Sequence, residues 1–403
     1  YYIFYRFTPC ISISIYVKGD QRWTFEKTFI YKIEDMKISI TANTSWYLYN
    51  FRRNTISALL NAGYEVIALS PDTEYKSKLE TLGCKCFTIK MQRWGKNPLQ
   101  DLQTILSFYT IFKKEKVNIT LNFTPKNNIY ATLAANLLNI KVINNIAGLG
   151  VAFIQNTLFS KLVSYLYKVS QRKADYIFFQ NEEDKELFLK LKIVSENKCE
   201  RIPGSGVDLK RFEYSPIENT KNIRFLLVAR LIAEKGIYIY VEAARAIKKL
   251  FPDTEFYLLG PLDTCSTSGI KKYELDQWQK EKIITYLGFT DSVELELIKA
   301  HCVVLPSYYR EGVPKSLLEA AAIGRPIITT DNIGCREVVD HGINGFLCEP
   351  GSIISLADNM ERFLTLSSME KEIMGRNSRA KIQKDFDEKI VIEKYFSVVN
   401  SLK

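Results

Sequence analysis

Two glutamates eight residues apart sit in the most chemically suggestive stretch of the 403-residue chain, Tyr308-Tyr309-Arg310-Glu311-Gly312-Val313-Pro314-Lys315-Ser316-Leu317-Leu318-Glu319. It follows an apolar, strand-like run at 302–306 and continues through small residues to Gly324-Arg325-Pro326. Pro314 suits the first turn of a helix that Gly324 ends. Glu311 then lies in the loop at the strand's carboxyl end. Glu319 lies about five residues into the helix, roughly 7–8 Å along its axis at 1.5 Å per residue. A nucleotide-linked sugar fits across this end: one carboxylate accepts hydrogen bonds from sugar hydroxyls and the other from a ribose diol. Between them, the free N–H groups of residues 313–317 and the helix dipole favour a diphosphate. The plain alternative is a surface glutamate and a helix-face glutamate; the Gly and Pro punctuation argues against it.

A diphosphate also calls for positive charge. Val228-Ala229-Arg230-Leu231-Ile232-Ala233-Glu234-Lys235-Gly236 supplies it at the end of another strand-like run. Arg230 can hold two phosphate oxygens at once, and Lys235 adds a point charge. Both would stabilise the negative charge that develops on a departing nucleoside diphosphate.

The elements that must position these groups are legible as apolar runs. From Met36-Lys37-Ile38-Ser39-Ile40 onward, strand-like runs at 65–70, 85–90, 117–121, 141–145 and 175–180 alternate with longer helical patterns. A second series follows at 223–229, 255–259, 283–287, 302–306 and 326–330. Alternation of this kind predicts an α/β protein with two doubly wound parallel-sheet, Rossmann-like domains. Residues 36–215 are expected to form the first domain and 222–387 the second, with the boundary near 215–221 in a Pro/Gly/Ser/Asn-rich stretch. A final helix, 388–403, could join either. Open parallel sheets bind ligands outside the carboxyl ends of their strands, so the expected site is an interdomain cleft. Residues 1–35 lack the order of a signal peptide and are expected to be an upstream extension outside the conserved fold.

Composition narrows the function classes. Residues 36–220 hold 25 Lys and Arg against 16 Asp and Glu, while residues 221–403 hold 25 of each, so the basic surplus belongs to the first half. No Lys/Arg block alternates with stacking aromatics, which argues against a nucleic-acid partner. An anionic bilayer surface suits the charge better. The segment 158–176 supports it, with Leu158, Phe159, Leu162, Val163, Leu166 and Val169 at helical spacing among Lys161, Lys168, Arg172 and Lys173. Its plain reading is an amphipathic helix covering a sheet. No apolar run reaches the roughly 20 residues of a membrane-spanning helix. Eight scattered cysteines read as thiols of a reducing compartment. His301 and His341 have no ligand-spaced partners, so both are assigned structural roles and no metal is expected.

The assembled pieces resemble the family 4 retaining glycosyltransferases of the two-domain GT-B fold, from about Met36 to the C-terminus. The resemblance rests on Val228-Ala229-Arg230 with Lys235-Gly236, the Glu311 and Glu319 pair, Gly342-Ile343-Asn344-Gly345-Phe346-Leu347, and Gly206-Val207-Asp208 at the crossover. Ser45-Trp46, Asn50-Phe51-Arg52, Thr124-Pro125-Lys126-Asn127-Asn128-Ile129-Tyr130 and Ile146-Ala147-Gly148-Leu149-Gly150 are similar to bacterial enzymes that extend undecaprenyl-diphosphate-linked glycans for capsule, O-antigen or protein glycosylation.

The resemblance implies that Arg230 and Lys235 bind the donor diphosphate, Glu319 the ribose and Glu311 the donor sugar. Gly312, Val313, Ser316 and Leu317 would offer backbone N–H groups, and Gly288 and Phe289 would pack the base. Many relatives carry a His near the reacting sugar; the matching stretch here reads Thr124-Pro125-Lys126 and leaves that role unassigned. The usual Gly-Gly of the first loop is replaced by Asn43-Thr44-Ser45. Asn43, Ser45, Lys126 and Gly148 are therefore the candidates for the acceptor or phosphate side. The family uses no metal, and no cofactor is expected beyond the nucleoside-diphosphate sugar.

The implied reaction moves a hexosyl or N-acetylhexosaminyl unit, with retention, from a UDP-sugar to a lipid-linked saccharide in cell-surface polysaccharide or glycan synthesis. The enzyme is expected in the cytoplasm, peripheral on the inner face of the cell membrane. The competing readings are a nucleotide-sugar epimerase or hydrolase of the same fold, and a non-catalytic glycosyltransferase-like subunit.

Overall fold

The computed structural model describes residues 36–92, 98–149, 158–264 and 266–403, with side chains from Val163 onward in the third stretch. It also describes the backbone of two short strands, β1 (Ile15–Lys18) and β2 (Trp23–Glu26), which pair antiparallel with each other. The remainder of the expected extension 1–35, Gly150, Cys265 and the side chains of Leu158, Phe159, Lys161 and Leu162 lie outside the described residues.

The first sheet contains β3 (Lys37–Thr41), β4 (Glu65–Ser70), β5 (Lys85–Thr88), β6 (Ile119–Phe123), β7 (Lys141–Ile146), β8 (Tyr176–Phe179) and β9 (Cys199–Arg201). All pair parallel, in the order β5-β4-β3-β6-β7-β8-β9. The second contains β10 (Arg224–Val228), β11 (Glu255–Leu259), β12 (Thr285–Tyr286), β13 (Cys302–Leu305), β14 (Ile327–Thr330) and β15 (Gly345–Cys348). Its order is β12-β11-β10-β13-β14-β15, again parallel throughout. Every expected strand is present with its ends within two residues. These strands are mainly apolar on both faces because helices cover both faces; where polar side chains are buried they pair, as Asn122 Nδ2 does in donating to Asn144 Oδ1 at 2.9 Å.

In the first domain the helices are α1 (Ser45–Asn61), α2 (Lys76–Thr81), α3 (Pro98–Glu115), α4 (Pro125–Asn136), α5 (Leu158–Gln171) and α6 (Glu182–Lys190). In the second they are α7 (Ile237–Leu250), α8 (Lys272–Lys280), α9 (Val293–Lys299), α10 (Lys315–Ile323), α11 (Ile353–Thr365) and α12 (Ser368–Asp385), before a last helix, α13 (Glu388–Ser401). Strand β4 shows how the first sheet is covered. Val66 and Ala68 face the core that holds Leu48, Ile56 and Leu59 of α1, while Ile67 and Leu69 face the core that holds Phe108, Phe112 and Phe188. That is the two-residue alternation of a strand.

Helix α13 returns to the first domain. Its Val391, Tyr395, Val398 and Val399 join the core beneath α1, and Asn145 Nδ2 donates to the Tyr395 hydroxyl at 2.7 Å. Each such fully buried side chain contributes about 1.5–3 kcal/mol. The stretch ahead of β10 is already held by the second domain. Phe212 lies in its core, and Arg325 Nη2 donates to the Ser215 and Pro216 carbonyls at 2.8 and 3.3 Å. The first passage between domains is therefore at Gly206-Val207-Asp208, upstream of the expected boundary.

Helix α5 takes the plain reading. Val163, Leu166 and the buried Tyr167 pack on the first domain's core, and Tyr165 and Arg172 face outward. Among the described residues no helix is long and apolar enough to cross a membrane.

Candidate active site

In a doubly wound sheet the crevice opens where chain direction reverses, between the first strand and the fourth. For the second sheet that point lies between β10 and β13, whose following loops carry Arg230 with Lys235 and Glu311. The loop after β10 turns at Gly236, with φ +76°; a Cβ there would stand 2.1 Å from the Pro306 carbonyl oxygen. Only glycine permits that close approach of the two loops. Lys235 Nζ consequently sits 2.5 and 2.6 Å from the two carboxylate oxygens of Glu311. The Glu311 carboxylate also accepts from Ser307 Oγ at 2.6 Å, and its side chain is about 10% exposed. Arg230 is more exposed and pairs with Asp263, Nη1 to Oδ2 3.1 Å.

Helix α10 begins immediately after Pro314 and ends at Gly324 with φ +90°, as the residue types predict. Two of the expected amides are occupied. Gly312 N–H donates to the Ala147 carbonyl at 3.2 Å, and Leu317 N–H donates to the Pro314 carbonyl at 3.1 Å. Those of Val313, Lys315 and Ser316 have no acceptor among the described residues. The expectation is thus corrected for Gly312 and Leu317: the first closes an interdomain contact and the second tightens the helix start. Glu319 lies one turn along from Lys315. Burial pushes its carboxyl up to about 7 against the opposing pull of Lys315 and Arg211. At Gly288 the backbone turns with φ +77°, and the following Phe289 is half exposed with its ring 6.5 Å from Trp46 of the first domain.

The first domain closes onto the Glu311 loop. Gly148 has φ +94°, and a Cβ on it would lie 2.6 Å from Gly312 N. Asn181 Nδ2 donates to the Glu311 carbonyl at 3.3 Å. Arg310 reaches Asp184, Nη2 to Oδ1 2.6 Å. Burial pushes the Asp184 carboxyl up, against the pull of Arg310.

The other first-domain candidates divide. Ser45 is corrected to a structural role. Its amide and hydroxyl both donate to Asp72, its hydroxyl accepts from Tyr75 N at 2.9 Å, and it is 1% exposed. Asn43 stays partly exposed in the loop after β3. Lys126 is paired with Asp101 at 3.3 Å, on α4. His301 is buried, accepts from Arg224 N at 3.0 Å and is pushed down in pKa by that burial. His341 Nδ1 accepts from Leu347 N at 3.0 Å.

Sequence reasoning missed Ser307, Asp263, Asn181 and Asp184. Ser307, Asp263 and Asn181 are partners of candidates, and Asp184 holds Arg310, the chain neighbour of one. Asn181 and Asp184 carried one usable signal: Asn181 caps α6, accepting from Asp184 N at 2.8 Å, so both are fixed at a helix start.

Two facing doubly wound domains, with a lysine–glutamate pair and a helix start at the crevice between them, have the GT-B architecture. Two family models match in succession, "Glycosyl transferase 4-like" over residues 37–181 and "Glycosyl transferases group 1" over residues 210–381. The chain is a glycosyltransferase, matched by these two models over most of its length. It is 27% identical over 381 residues, 90% of this chain and 98% of the relative, to the N,N'-diacetylbacillosaminyl-diphospho-undecaprenol alpha-1,3-N-acetylgalactosaminyltransferase of Campylobacter jejuni. It is 27% identical to the UDP-Gal:alpha-D-GlcNAc-diphosphoundecaprenol alpha-1,3-galactosyltransferase of Escherichia coli, over 72% of this chain and 76% of that one. Among solved structures, Anabaena HepE in complex with UDP-glucose superposes with a TM-score of 0.74 at 17% identity, covering 91% of this chain and all of that one. The sucrose-phosphate synthase of Thermosynechococcus elongatus gives 0.75 at 18%, covering 91% and 99%. At those identities the likeness is one of fold.

Proposed function

We propose that the chain is a retaining glycosyltransferase that moves a hexosyl or N-acetylhexosaminyl unit from a UDP-sugar to an undecaprenyl-diphosphate-linked saccharide in cell-surface glycan synthesis. The observation that carries this is the Lys235–Glu311 pair at the second domain's crevice, beside the open amides of Val313, Lys315 and Ser316. Both similar curated enzymes act on diphospho-undecaprenol acceptors by their names, which supports the acceptor class.

In this reading the donor diphosphate lies at the start of α10, where amides and helix dipole favour an anion. Arg230 and Lys235 turn from Asp263 and Glu311 to the phosphates, and Glu311, released, accepts from the sugar hydroxyls. Glu319 receives the ribose diol and Phe289 the base. The acceptor hydroxyl attacks the anomeric carbon on the face the diphosphate leaves. The carbon–oxygen bond to the diphosphate breaks, and the acceptor's proton passes to the leaving phosphate oxygen. Arg230, Lys235 and the amides stabilise the charge that develops, so the reading requires no metal ion.

The basic first domain would meet the anionic inner face of the cell membrane, where the acceptor lies. Outward cations support this, as do Leu99, Leu102 and Leu106 of α3, which are more than half exposed at helical spacing. The test is a screen of UDP-sugars with lipid-diphosphate saccharides, following product and anomeric configuration. Glu311→Ala is expected to abolish transfer with the fold intact; unchanged turnover would remove Glu311 from the site.

A further inference from the structure

Arg52 and Arg325 are the largest fully buried side chains among the described residues; Arg52 is 1% exposed and has no carboxylate partner there. It lies at the first domain's own crevice, with Cζ 4.1 Å from the ring of Phe123, the last residue of β6. Of its donors, Nη2 reaches the Tyr47 hydroxyl at 3.2 Å, while Nε and Nη1 meet no acceptor. The Tyr47 ring stacks on Phe51 at 4.7 Å, and two more donors without acceptors gather at Phe51. Lys315 Nζ, reaching in from the start of α10, stands 4.9 Å from that ring. Trp46, 5.5 Å from the same ring, has a buried indole N–H with no acceptor. Lys315 makes no ion pair or hydrogen bond among the described residues; Glu319 and Glu388 act on it only through space.

An unpaired charge is costly to bury, and a buried donor without an acceptor adds to the cost. Here two cations, one from each domain, are held around one aromatic stack although they repel each other. Such a cluster is incomplete without an anion. The donor diphosphate already has Arg230 and Lys235 in the second domain, whereas Arg52 belongs to the acceptor-side domain. We propose that Arg52, Lys315 and the Trp46 indole N–H form a phosphoryl-anion subsite that holds the diphosphate of the acceptor. This identification of the ligand rests on the lipid-diphosphate acceptor proposed above. Arg52 would enter from the first domain and Lys315 from the second, so the subsite is complete only when the domains close.

The test uses the full chain, Arg52→Met and Lys315→Met. With UDP saturating the donor site, inorganic pyrophosphate should raise the thermal midpoint of the wild type, and each variant should lose that shift. Without ligand, Arg52→Met should melt at or above the wild type, because it removes a charge that has no partner. In transfer assays the KM for the lipid-diphosphate acceptor should rise at least tenfold in both variants while the donor KM of Arg52→Met stays within twofold. An Arg52→Met enzyme that melts lower with both KM values unchanged would make Arg52 structural and overturn the proposal. So would a rise in donor KM alone, or pyrophosphate protection that survives both substitutions. If Arg52→Met does not fold, Lys315→Met carries the same kinetic and pyrophosphate readouts. If the wild type transfers to no lipid-diphosphate acceptor, the proposed function fails, and the pyrophosphate shift still decides whether the anion subsite exists.

Discussion

Lys235 and Glu311 meet across the mouth of the second domain's crevice, with the ammonium 2.5 and 2.6 Å from the two carboxylate oxygens. In the proposed reaction a donor would draw them apart, Lys235 to the phosphates and Glu311 to the sugar. The pair also neutralises two charges that would otherwise stand largely buried and alone.

That pairing predicts strong coupling in catalysis. Glu311→Gln and Lys235→Met should each lower turnover by about 100-fold or more. The double variant should be little worse than the poorer single one, since residues acting as a unit are not additive. Steady-state kinetics on the three proteins checks this, and simple multiplication of the two losses would refute it.

Glu319 predicts a pH dependence. Burial holds its carboxyl at about 7, above the ordinary 4.5. Between those values the folded protein keeps a proton that the unfolded chain has lost. Its contribution to stability is therefore fully present below about 4.5 and gone once pH rises through about 7. Thermal midpoints of the donor-free enzyme should fall across that interval relative to Glu319→Gln. Ribose hydroxyls donate to an ionised carboxylate, so the donor KM should fall as pH rises through about 7, and Glu319→Gln should flatten the profile.

Gly148 predicts a closure defect. An added methyl group would lie 2.6 Å from Gly312 N and 2.8 Å from Glu311 C, at a φ of +94°. Gly148→Ala should lower kcat by about tenfold or more and widen the cleft, since a 1 Å misplacement can cost about 100-fold. Small-angle scattering reads the second effect; an unchanged radius of gyration with full kcat would contradict it.

Ser45 predicts a stability effect without a kinetic one. Ser45→Ala removes the hydroxyl between Asp72 and the Tyr75 amide and should cost about 1–3 kcal/mol. Donor and acceptor KM should not move. A tenfold rise in either would return Ser45 to the ligand side.

The strands were legible because each is a short, mainly apolar run between loop and helix signals, as a strand covered on both faces reads, although Asn122, Asn144 and Asn145 interrupt β6 and β7. Strands β9 and β15 were missed: Cys199-Glu200-Arg201 carries two charges in three residues, and Gly345 to Cys348 begins on glycine. The Glu311 and Glu319 segment was legible because proline and glycine mark its helix on both sides. Its partners were not. Asp184 lies 126 residues from Arg310, and Asp263 lies 33 from Arg230, so only tertiary folding makes either pair. Ser45 misled because a loop serine reads alike whether it faces a ligand or Asp72. Likewise, the allegiance of α13 rests on Tyr395 reaching Asn145, 250 residues away.

The polypeptide passes between its two halves twice, and the two passages are tied together. Val207 N–H donates to the Phe386 carbonyl at 3.0 Å, Glu388 N–H donates to the Val207 carbonyl at 3.2 Å, and Asn54 bonds both Asp208 and Glu388. A single connecting strand would let the halves twist and slide; two laced side by side leave a swivel about one short axis. Any opening of the cleft would therefore have to swing about that junction, parting and rejoining the Gly148 and Gly312 backbones along one arc. Clipping the chain ahead of α13 would sever one lace and unseat a helix from the half it does not adjoin in sequence.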